Sequence, residues 1–407
     1  MSLLFRIAFL NLWRRMSRSV LVILMVGMSI TGLLLMQGLF EGMINQMVDN
    51  SLRSDTGHVS IYNKEYRTSK SLDDQISNPK EIIAFIEKQP EVDSYIERVK
   101  HEGLVATAKH SQGATILGTN LDQEDFHAHL KNYLIEGEYT FGKRNRGALI
   151  GAELADKLKV KIGKKLVITV QDVDKEINSI SLKVKGIVRT NNMQIDKSGV
   201  IIDQDKLREL TGLKGKSTQI SLFISNEEAQ VPLIEKIDAQ FGEDEVKAYH
   251  WKKIFPMFEQ YEGIEVAIYS ISYFIIFIVA ALGIFGVILV SVLERVREFG
   301  IMLAIGSSFS RVRWQIILES MLLGLIGLVS GAVVGGALLY YFSTVGIDLG
   351  GYSEAMSQFG MDAIIKAEFQ WVYFLYSSIS VVLATFFAAL WPIRVLKKLH
   401  PIEAVNA

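Results

Sequence analysis

Four long apolar runs and one large polar block are the feature that most restricts how this chain can fold. Each run is long enough for an α-helix to cross the ~30 Å hydrocarbon core of a bilayer. Glu319 is the one charged side chain within them, and it lies near the end of its run. Four spans exceed what an enzyme needs to rest on a membrane, so the pattern indicates a protein that works across the bilayer. The runs are Ser19–Phe40, Val266–Leu293, Ile316–Phe342 and Phe369–Ile393.

The basic residues set the expected orientation of these spans, because Lys and Arg are retained on the cytoplasmic side of a membrane. They are concentrated before the first run, between the second and third, and after the fourth, whereas the loop 343–368 is mainly acidic. We therefore expect both termini in the cytoplasm and the polar block Met43–Gly263 on the opposite side. The basic residues are Arg6, Arg14, Arg15, Arg18, Arg295, Arg297, Arg311, Arg313, Arg394, Lys397 and Lys398.

Composition excludes several classes of protein. The 43 basic and 44 acidic side chains nearly cancel, which leaves no positive surplus for binding nucleic acid. The chain has no cysteine, so its exported block must be stabilised by core burial without disulfides. The first apolar run is too long for a cleaved signal peptide, and no small-residue cleavage pattern follows it, which favours an uncleaved anchor.

Helical patterns flank the first span, which we place at 19–42. Residues 1–18 are apolar and then basic, which predicts a cytoplasmic elbow helix in the membrane interface. The alternative is that they are the frayed start of the span itself. Beyond the span, a helical stripe of apolar residues predicts that the helix leaves the bilayer and forms a stiff link to the outer block. The stripe consists of Met43, Ile44, Met47, Val48 and Leu52.

The block 43–263 has the pattern of an α+β domain. β-prone runs and helical runs recur in it without a strict β-α-β order, which predicts two subdomains, the middle portion being a small β unit. The expected strands are Val59–Tyr62, Val105–Lys109, Ala114–Leu117, Leu166–Val170, Ser181–Val188 and Glu245–His250. The expected helices are Lys80–Lys88, Gly151–Leu158 and Gln230–Phe241.

No residue pattern indicates catalysis. The stretch Gly212–Ser217 resembles a phosphate-binding loop, but Leu210 occupies the position of its first glycine. His127 and His129 have no clear third ligand nearby, and a solvated loop is the expected setting for them. We therefore expect no catalytic residue, no metal and no cofactor bound by this chain.

The loop between the second and third spans carries the sharpest local pattern. From Glu294 to Gln315 it has charged ends, an apolar middle with helical spacing, and a helix-stop pattern of the Gly-Ser-Ser type at Gly306. A short intracellular helix of this kind suits the groove of another protein, and an interfacial helix on lipid is the alternative. The candidate contact residues are Arg297, Glu298, Ile301, Met302, Ile305 and Gly306.

This loop also carries a family resemblance. The stretch ERVREFGIMLAIGS at 294–307, followed by Glu319 and a glycine-rich span, resembles the FtsX-like permease domain of ABC transporters of the MacB and lipoprotein-releasing kind. The resemblance implies an FtsX-like permease domain over 264–407 with three spans and a coupling helix near 295–306. It also implies a MacB-like periplasmic core domain over 43–263. The further matching segments are Leu149–Ala155, Val184–Ile187 and Trp391–Ala404.

The resemblance implies partners and a mechanism. In this family the coupling helix receives the stroke of a cytoplasmic ATPase, and the spans pass it to the periplasmic domains. We therefore expect two copies of a separate ATPase subunit, which bind the ATP and Mg, and a second permease copy or paralogue. This chain starts directly with the elbow and shows no nucleotide motif, so we expect a non-enzymatic subunit in a bacterial inner membrane.

The exit from the first span gives the expected cargo. Gln37–Tyr62 resembles the lipoprotein-releasing (LolC/LolE) permeases, although Leu39-Phe40-Glu41-Gly42 replaces their Gly-Phe-Glu-like exit. We therefore expect extraction of lipoproteins from the outer leaflet and transfer to a periplasmic carrier. A MacB-like efflux permease and an FtsX-like regulator of periplasmic cell-wall hydrolases are the alternatives.

A lipoprotein cargo requires an apolar cleft at the outer ends of the first two spans, where flexible Met side chains suit acyl chains of variable shape. Ordinary helix packing or lipid contact is the alternative for these residues. The candidates are Met36, Leu39, Phe40, Met43, Ile264, Ile268 and Ile271.

The third span has two further features. Gly327, Gly331 and Gly335 are spaced for close helix approach, either within the chain or in a dimer. Glu319 is costly inside a membrane unless it is paired, and we expect a structural pairing at the cytoplasmic edge.

Overall fold

A computed structural model describes residues 9–10, 12, 16–69, 71–190, 192–242, 246–352, 355–356 and 360–398. The chain divides into two compact units. The helical unit comprises Met1–Met43, Tyr261–Asp348 and Ile365–Ala407, and the sheet unit comprises Ile44–Gln260 and Leu349–Ile364. Most of the predicted elbow at 1–18 and the end of the predicted tail lie outside the described residues.

The helices and strands are numbered here in chain order. The helices are α1 Met16–Ser51, α2 Tyr66–Ser69, α3 Pro79–Ile86, α4 Leu121–Ala128, α5 Ala152–Leu158, α6 Met193–Ser198, α7 Gln204–Thr211, α8 Glu227–Phe241, α9 Trp251–Ile254, α10 Pro256–Glu294, α11 Val296–Ala304, α12 Phe309–Thr344 and α13 Trp371–Lys398. The strands are β1 Val59–Asn63, β2 Ser94–Ala106, β3 Ser111–Thr119, β4 Leu134–Gly137, β5 Gly147–Gly151, β6 Lys165–Gln171, β7 Ile177–Val188, β8 Gly199–Asp203, β9 Gln219–Phe223, β10 Val246–His250, β11 Ile347–Asp348 and β12 Ile364–Ile365.

The four predicted spans are confirmed as helices that are long and apolar enough to cross a membrane. They lie in α1, α10, α12 and α13. The first helix is longer than a bilayer requires: α1 runs through Ser51 and continues directly into a π-helical turn, Leu52–Thr56, in agreement with the apolar stripe beyond the span. The second also starts early, at Pro256, because the fixed φ of proline suits the first residue of a helix.

The core of the helical unit is built around one apolar face of α1. On α1 the buried residues Val22, Val26, Ile30 and Leu34 recur every four positions, which places them on one side of the helix. They join a single apolar cluster with side chains of α10, α11, α12 and α13.

The three predicted glycines lie where α12 meets α1. A Cβ atom added to Gly331 would lie 2.6 Å from the carbonyl oxygen of Gly27, closer than any real contact allows. Atoms added at Gly327 and Gly335 would lie 2.8 and 3.0 Å from atoms of α1. Because only hydrogen fits, the backbones approach closely enough for Thr31 Oγ1 to donate to the Gly331 carbonyl at 3.2 Å. The three glycines therefore form a close contact between two helices of the same chain, which we call the glycine seam.

The sheet unit is built on a ten-stranded mixed sheet. Its strand order is β10-β1-β9-β2-β3-β8-β5-β7-β4, and β6 pairs with β2 and β7. The long strand β2 is shared: Ser94–Arg98 pairs with β9, whereas Val99–Ala106 pairs with β3. One apolar cluster packs β1, β9 and β10 against α3 and α8, and another fills the space around β2, β3, β5 to β8, α5 and α7.

The α+β class is confirmed. The predicted division into two subdomains stays a prediction, because β2 joins the two apolar clusters through one continuous sheet. The hairpin β6–β7 follows the prediction closely, with Val167 opposite Ser181. The hairpin β2–β3 does not: its turn lies at 107–110, inside the predicted strand Val105–Lys109, because Thr107 and His110 bond to each other and close the chain there.

One segment lies elsewhere than the sequence predicts. Leu349–Ile364, which falls within the predicted permease domain, belongs to the sheet unit. Amide side chains near the C-terminal end of α1 hold it: Gln46 Nε2 donates to the Ile364 carbonyl at 2.9 Å, and Asn50 Nδ2 donates to the Gly360 carbonyl at 3.0 Å. The main segment of the sheet unit runs from Ile44 to Gln260, where the sequence predicts a block from Met43 to Gly263.

The glycine seam yields a prediction. Gly331→Ala should lower stability by about 1–3 kcal/mol, the usual cost of forcing extra atoms into a packed interface. Gly286→Ala, on α10, is the matched control because nothing lies within 4 Å of its added methyl. Thermal unfolding of the purified protein in detergent should separate the two variants, and equal melting temperatures would show that the seam is not tightly packed.

A buried carboxyl yields a prediction of pH dependence. Asp196 is buried, which raises its pKa to about 6 although Thr190 N and Oγ1 donate to it. The native state therefore binds more protons than the unfolded state between pH 4 and 6, so stability falls as pH rises through that window. Asp196→Asn should remove this loss, which amounts to about 3 kcal/mol at pH 7. Thermal melts at pH 4 and 7 test it: a variant and wild type with parallel pH profiles would contradict the assignment.

Candidate functional site

The candidate ATPase-coupling site is the short helix α11 in the loop between α10 and α12. It starts two residues after α10 and ends at a glycine stop: Gly306 has φ +96°, and the amides of Gly306 and Ser307 bond back to the carbonyls of Leu303 and Met302. Phe299 anchors the helix because its ring is almost completely buried in the apolar cluster of the helical unit. The predicted helix is thus present over Val296–Ala304.

The other side of α11 is exposed. Ile305 is 77% exposed and Ile301 is 47% exposed, and Arg297, Glu298 and Gly306 are exposed beside them. These five predicted contact residues therefore form one accessible surface, which we call the coupling surface. Met302 differs from them: it is partly buried and packs against the apolar cluster, so it supports the helix from inside.

An ion-pair cluster, defined as Arg18, Glu294, Arg295, Glu298 and Glu319, ties α11 to the spans. Arg295 Nη1 lies 3.1 Å from Glu319 Oε2, and Arg295 Nε lies 2.9 Å from Glu298 Oε2. The Arg295 guanidinium also lies 4.9 Å from the centre of the Phe299 ring. Arg18 of α1 pairs with both carboxylate oxygens of Glu294. Glu319 therefore has a cationic partner, as an intramembrane carboxylate requires.

The predicted cleft residues lie on α1 and α10. Met36, Ile264 and Ile271 are exposed, and Leu39, Phe40, Met43 and Ile268 are half-buried. Phe40 contacts the ring of Tyr269 edge-on, with centroids 6.2 Å apart.

Two polar bonds cross the same pair of helices. Tyr269 Oη donates to Glu41 Oε2 at 3.0 Å, and Tyr273 Oη donates to Gln37 Oε1 at 3.2 Å. The structure therefore gives these helices an apolar surface beside a hydrogen-bonded seam.

Sequence reasoning missed part of this arrangement. It expected a partner for Glu319 at the cytoplasmic edge but did not identify Arg295, which is 24 residues away on the preceding loop. The pairing of Arg18 with Glu294 was also missed. The sequence does place acidic and basic side chains together near the ends of consecutive spans. Charge alone, however, does not show which of them form pairs.

Two family models match this chain. The family model of the MacB-like periplasmic core domain matches residues 19–240, more than half of the 407-residue chain. The model of the FtsX-like permease C-terminal domain matches residues 270–401. The chain therefore belongs to the MacB- and FtsX-like family of ABC transporter permeases.

Individual relatives are distant. The chain is 25% identical over 240 residues to the macrolide export ATP-binding/permease protein MacB of Haemophilus ducreyi, covering 56% of this chain and 32% of that protein. It is 26% identical over 192 residues to the lipoprotein-releasing system transmembrane protein LolC of Buchnera aphidicola, covering 46% of this chain and 45% of that one. The chain thus spans less than half the length of either relative.

Among solved structures, the periplasmic region of MacB from Actinobacillus actinomycetemcomitans is similar over 52% of this chain and 97% of that one, at 14% identity. Its TM-score of 0.37 is too low to support a shared arrangement in detail.

The ion-pair cluster yields a prediction. Arg295→Met should destabilise the protein by about 3 kcal/mol, because it removes the cation that pairs with the largely buried Glu319 carboxylate. Arg311→Met, an exposed cation in the same loop, is the control and should change stability by less than about 0.5 kcal/mol. Thermal unfolding in detergent measures both, and an Arg295 variant that melts like wild type would show that the cluster is not structural.

Proposed function

We propose that this chain is the permease subunit of an ABC transporter that extracts lipoproteins from the outer leaflet of a bacterial inner membrane. The cargo passes to a periplasmic carrier. Two copies of a separate cytoplasmic ATPase bind ATP and Mg and supply the energy, and a second permease copy or paralogue completes the complex. Both termini of this chain lie in the cytoplasm, and the sheet unit lies in the periplasm.

The observation that carries the proposal is the length of the first helix. The 36 residues of α1 span about 54 Å at 1.5 Å per residue, against a hydrocarbon core of ~30 Å. The same helix contributes Met16–Met43 to the helical unit and Ile44–Ser51 to the sheet unit. An unbroken helix of this length supports mechanotransmission, because a displacement at its membrane part acts directly on its outer part.

The coupling surface supports docking of the ATPase. Ile301 and Ile305 expose aliphatic side chains next to the charges of Arg297 and Glu298, which is the composition of a helix that enters an apolar groove with a charged rim. The ion-pair cluster behind this surface would pass the load from α11 to α1 and α12.

The exposed residues of the cleft support an acylated cargo. Met36, Ile264 and Ile271 present apolar surface near the outer ends of α1 and α10, and each acyl methylene buried there would contribute ~0.8 kcal/mol. The second candidate function is export of a small amphiphilic molecule. It is favoured by the match to the macrolide export protein, which covers more of this chain than the match to LolC does.

The docking proposal yields a prediction. Ile305→Asp should bring an uncompensated charge into the ATPase groove and lower the yield of co-purified ATPase by about tenfold or more. Ile305→Leu keeps an apolar side chain and should bind normally. Ser310→Asp places the same charge on an exposed position of the next helix and should also bind normally. Normal co-purification of the Ile305→Asp variant would contradict the docking proposal.

The cargo proposal yields the last prediction of this section. A photo-crosslinker at Met36 or Ile271 should capture a lipoprotein in the nucleotide-free state and lose it when ATP is trapped. Met28 is the control because it is exposed on the same helix, two turns closer to the cytoplasmic end, and should capture only lipid. Mass spectrometry of the adducts decides: small amphiphiles would favour the export function, and a hydrolase captured by the sheet unit would favour the regulatory one.

A further inference from the structure

The end of the first helix poses a hydrogen-bonding problem. The last carbonyl groups of a helix have no partners within it, and here they lie inside the folded sheet unit rather than in water. The π-helical turn Leu52–Thr56 stops at Gly57, whose φ of +62° and ψ of −170° suit glycine alone. A Cβ there would lie 2.5 Å from the Leu222 carbonyl oxygen, so the helix ends directly against strand β9.

A buried guanidinium donates hydrogen bonds to two of these carbonyl groups. Arg98, on the shared strand β2, is 0% exposed. Its Nη1 donates to the carbonyl of Asp55 and to Ser221 Oγ, the latter at 3.3 Å. Its Nη2 donates to the carbonyl of Arg53 at 3.5 Å. Two carbonyl groups of the helix end are therefore held by one side chain.

A carboxylate fixes the guanidinium from the opposite side. Arg98 Nε and Nη2 donate to the two oxygens of Glu124 at 2.6 and 2.7 Å, and Thr119 Oγ1 donates to the same carboxylate at 2.8 Å. All five N–H groups of Arg98 thus have acceptors, and their planar arrangement leaves the side chain one orientation.

Neighbouring side chains also form polar contacts with the helix end. Gln219 Nε2 donates to the Asp55 carbonyl at 2.7 Å, and the Asp55 carboxylate pairs with Lys100. A buried ion pair is a poor source of stability, because desolvation offsets its attraction. The directional bonds of Arg98 to two carbonyls of α1 and its turn indicate a positioning role instead.

We propose that the Arg98–Glu124 pair is a force-bearing joint that makes the end of α1 and the sheet unit move as one body. The pair is a positioning device. The proposal rests on the mechanotransmission described above and names the residues through which the first helix acts on the sheet unit.

The test uses the full chain, reconstituted with its ATPase in lipid nanodiscs. The double variant Arg98→Met/Glu124→Leu removes both charges together, so neither charge is left buried alone. It also removes the guanidinium that bonds to the carbonyl groups of the helix end. The chain has no cysteine, so Asn45→Cys and Lys109→Cys introduce clean spin-label sites on exposed positions of α1 and of the β2–β3 turn. Spin-label distances, ATP hydrolysis and cargo released per ATP are measured.

We expect a narrow distance distribution in wild type, with and without nucleotide, and a broad one in the double variant. ATP hydrolysis should persist while cargo released per ATP falls by about fivefold or more. The control Arg208→Met/Glu97→Leu removes a partly buried ion pair, in which Glu97 neighbours Arg98 on β2 and neither partner contacts the helix end, and it should behave as wild type.

Three results would overturn the joint: an unchanged distribution, a broad distribution with normal coupling, or equal effects of both double variants. If the wild-type complex hydrolyses ATP but releases no lipoprotein, the proposed function fails. The distance measurement then still decides whether the joint exists.

Discussion

A helix that leaves a bilayer and ends inside a folded domain must find protein partners for the carbonyl groups of its last turn. Neither lipid nor bulk water supplies them at that point, and an unpaired buried carbonyl costs free energy comparable to a lost hydrogen bond. The chain meets this constraint with Arg98, Gln219 and Ser221, which converge on the carbonyl of Asp55. The arrangement of β2 and β9 in the sheet unit places these side chains at that carbonyl.

The helical unit solves a different problem, because lipid gives no hydrophobic driving force for helix association. Close backbone approach replaces it: the glycines of α12 admit the backbone of α1, and Arg295 links α11 to α12 through Glu319. In each unit, therefore, an arginine that is largely or fully buried connects elements distant in sequence. Such bridges fix the orientation of the joined elements as well as the distance between them.

The sequence was sufficient for the features that depend on periodicity and length. Apolar runs identified the four spans, the stripe from Met43 to Leu52 predicted the extension of α1, and β-prone runs identified the two strands of the hairpin β6–β7. It was not sufficient for features that depend on tertiary pairing. Nothing in the pattern around Arg98 distinguishes a buried arginine from a surface one, since its burial follows from the way β2 lies between β9 and β3.

The same distinction between periodicity and tertiary pairing applies to the candidate site. Helical spacing located α11 and most of the coupling surface, but Met302 lies on its inner side because helix rotation is set by packing around Phe299. The glycine spacing indicated close packing without indicating the partner, which is α1 of the same chain. The segment Leu349–Ile364 was placed with the wrong unit because hydrogen bonds from α1 amides, rather than sequence proximity, determine its position.

The central claim is that ATP hydrolysis in the cytoplasm is converted into release of a lipid-anchored protein on the opposite side of the membrane. Its most direct test is a transfer assay in proteoliposomes that contain this chain, its ATPase, a fluorescent lipoprotein and a soluble acceptor outside. We predict transfer of the lipoprotein to the acceptor with ATP and Mg, and no transfer with ATP alone or with a non-hydrolysable analogue. Sustained ATP hydrolysis with the lipoprotein left in the bilayer would contradict the account.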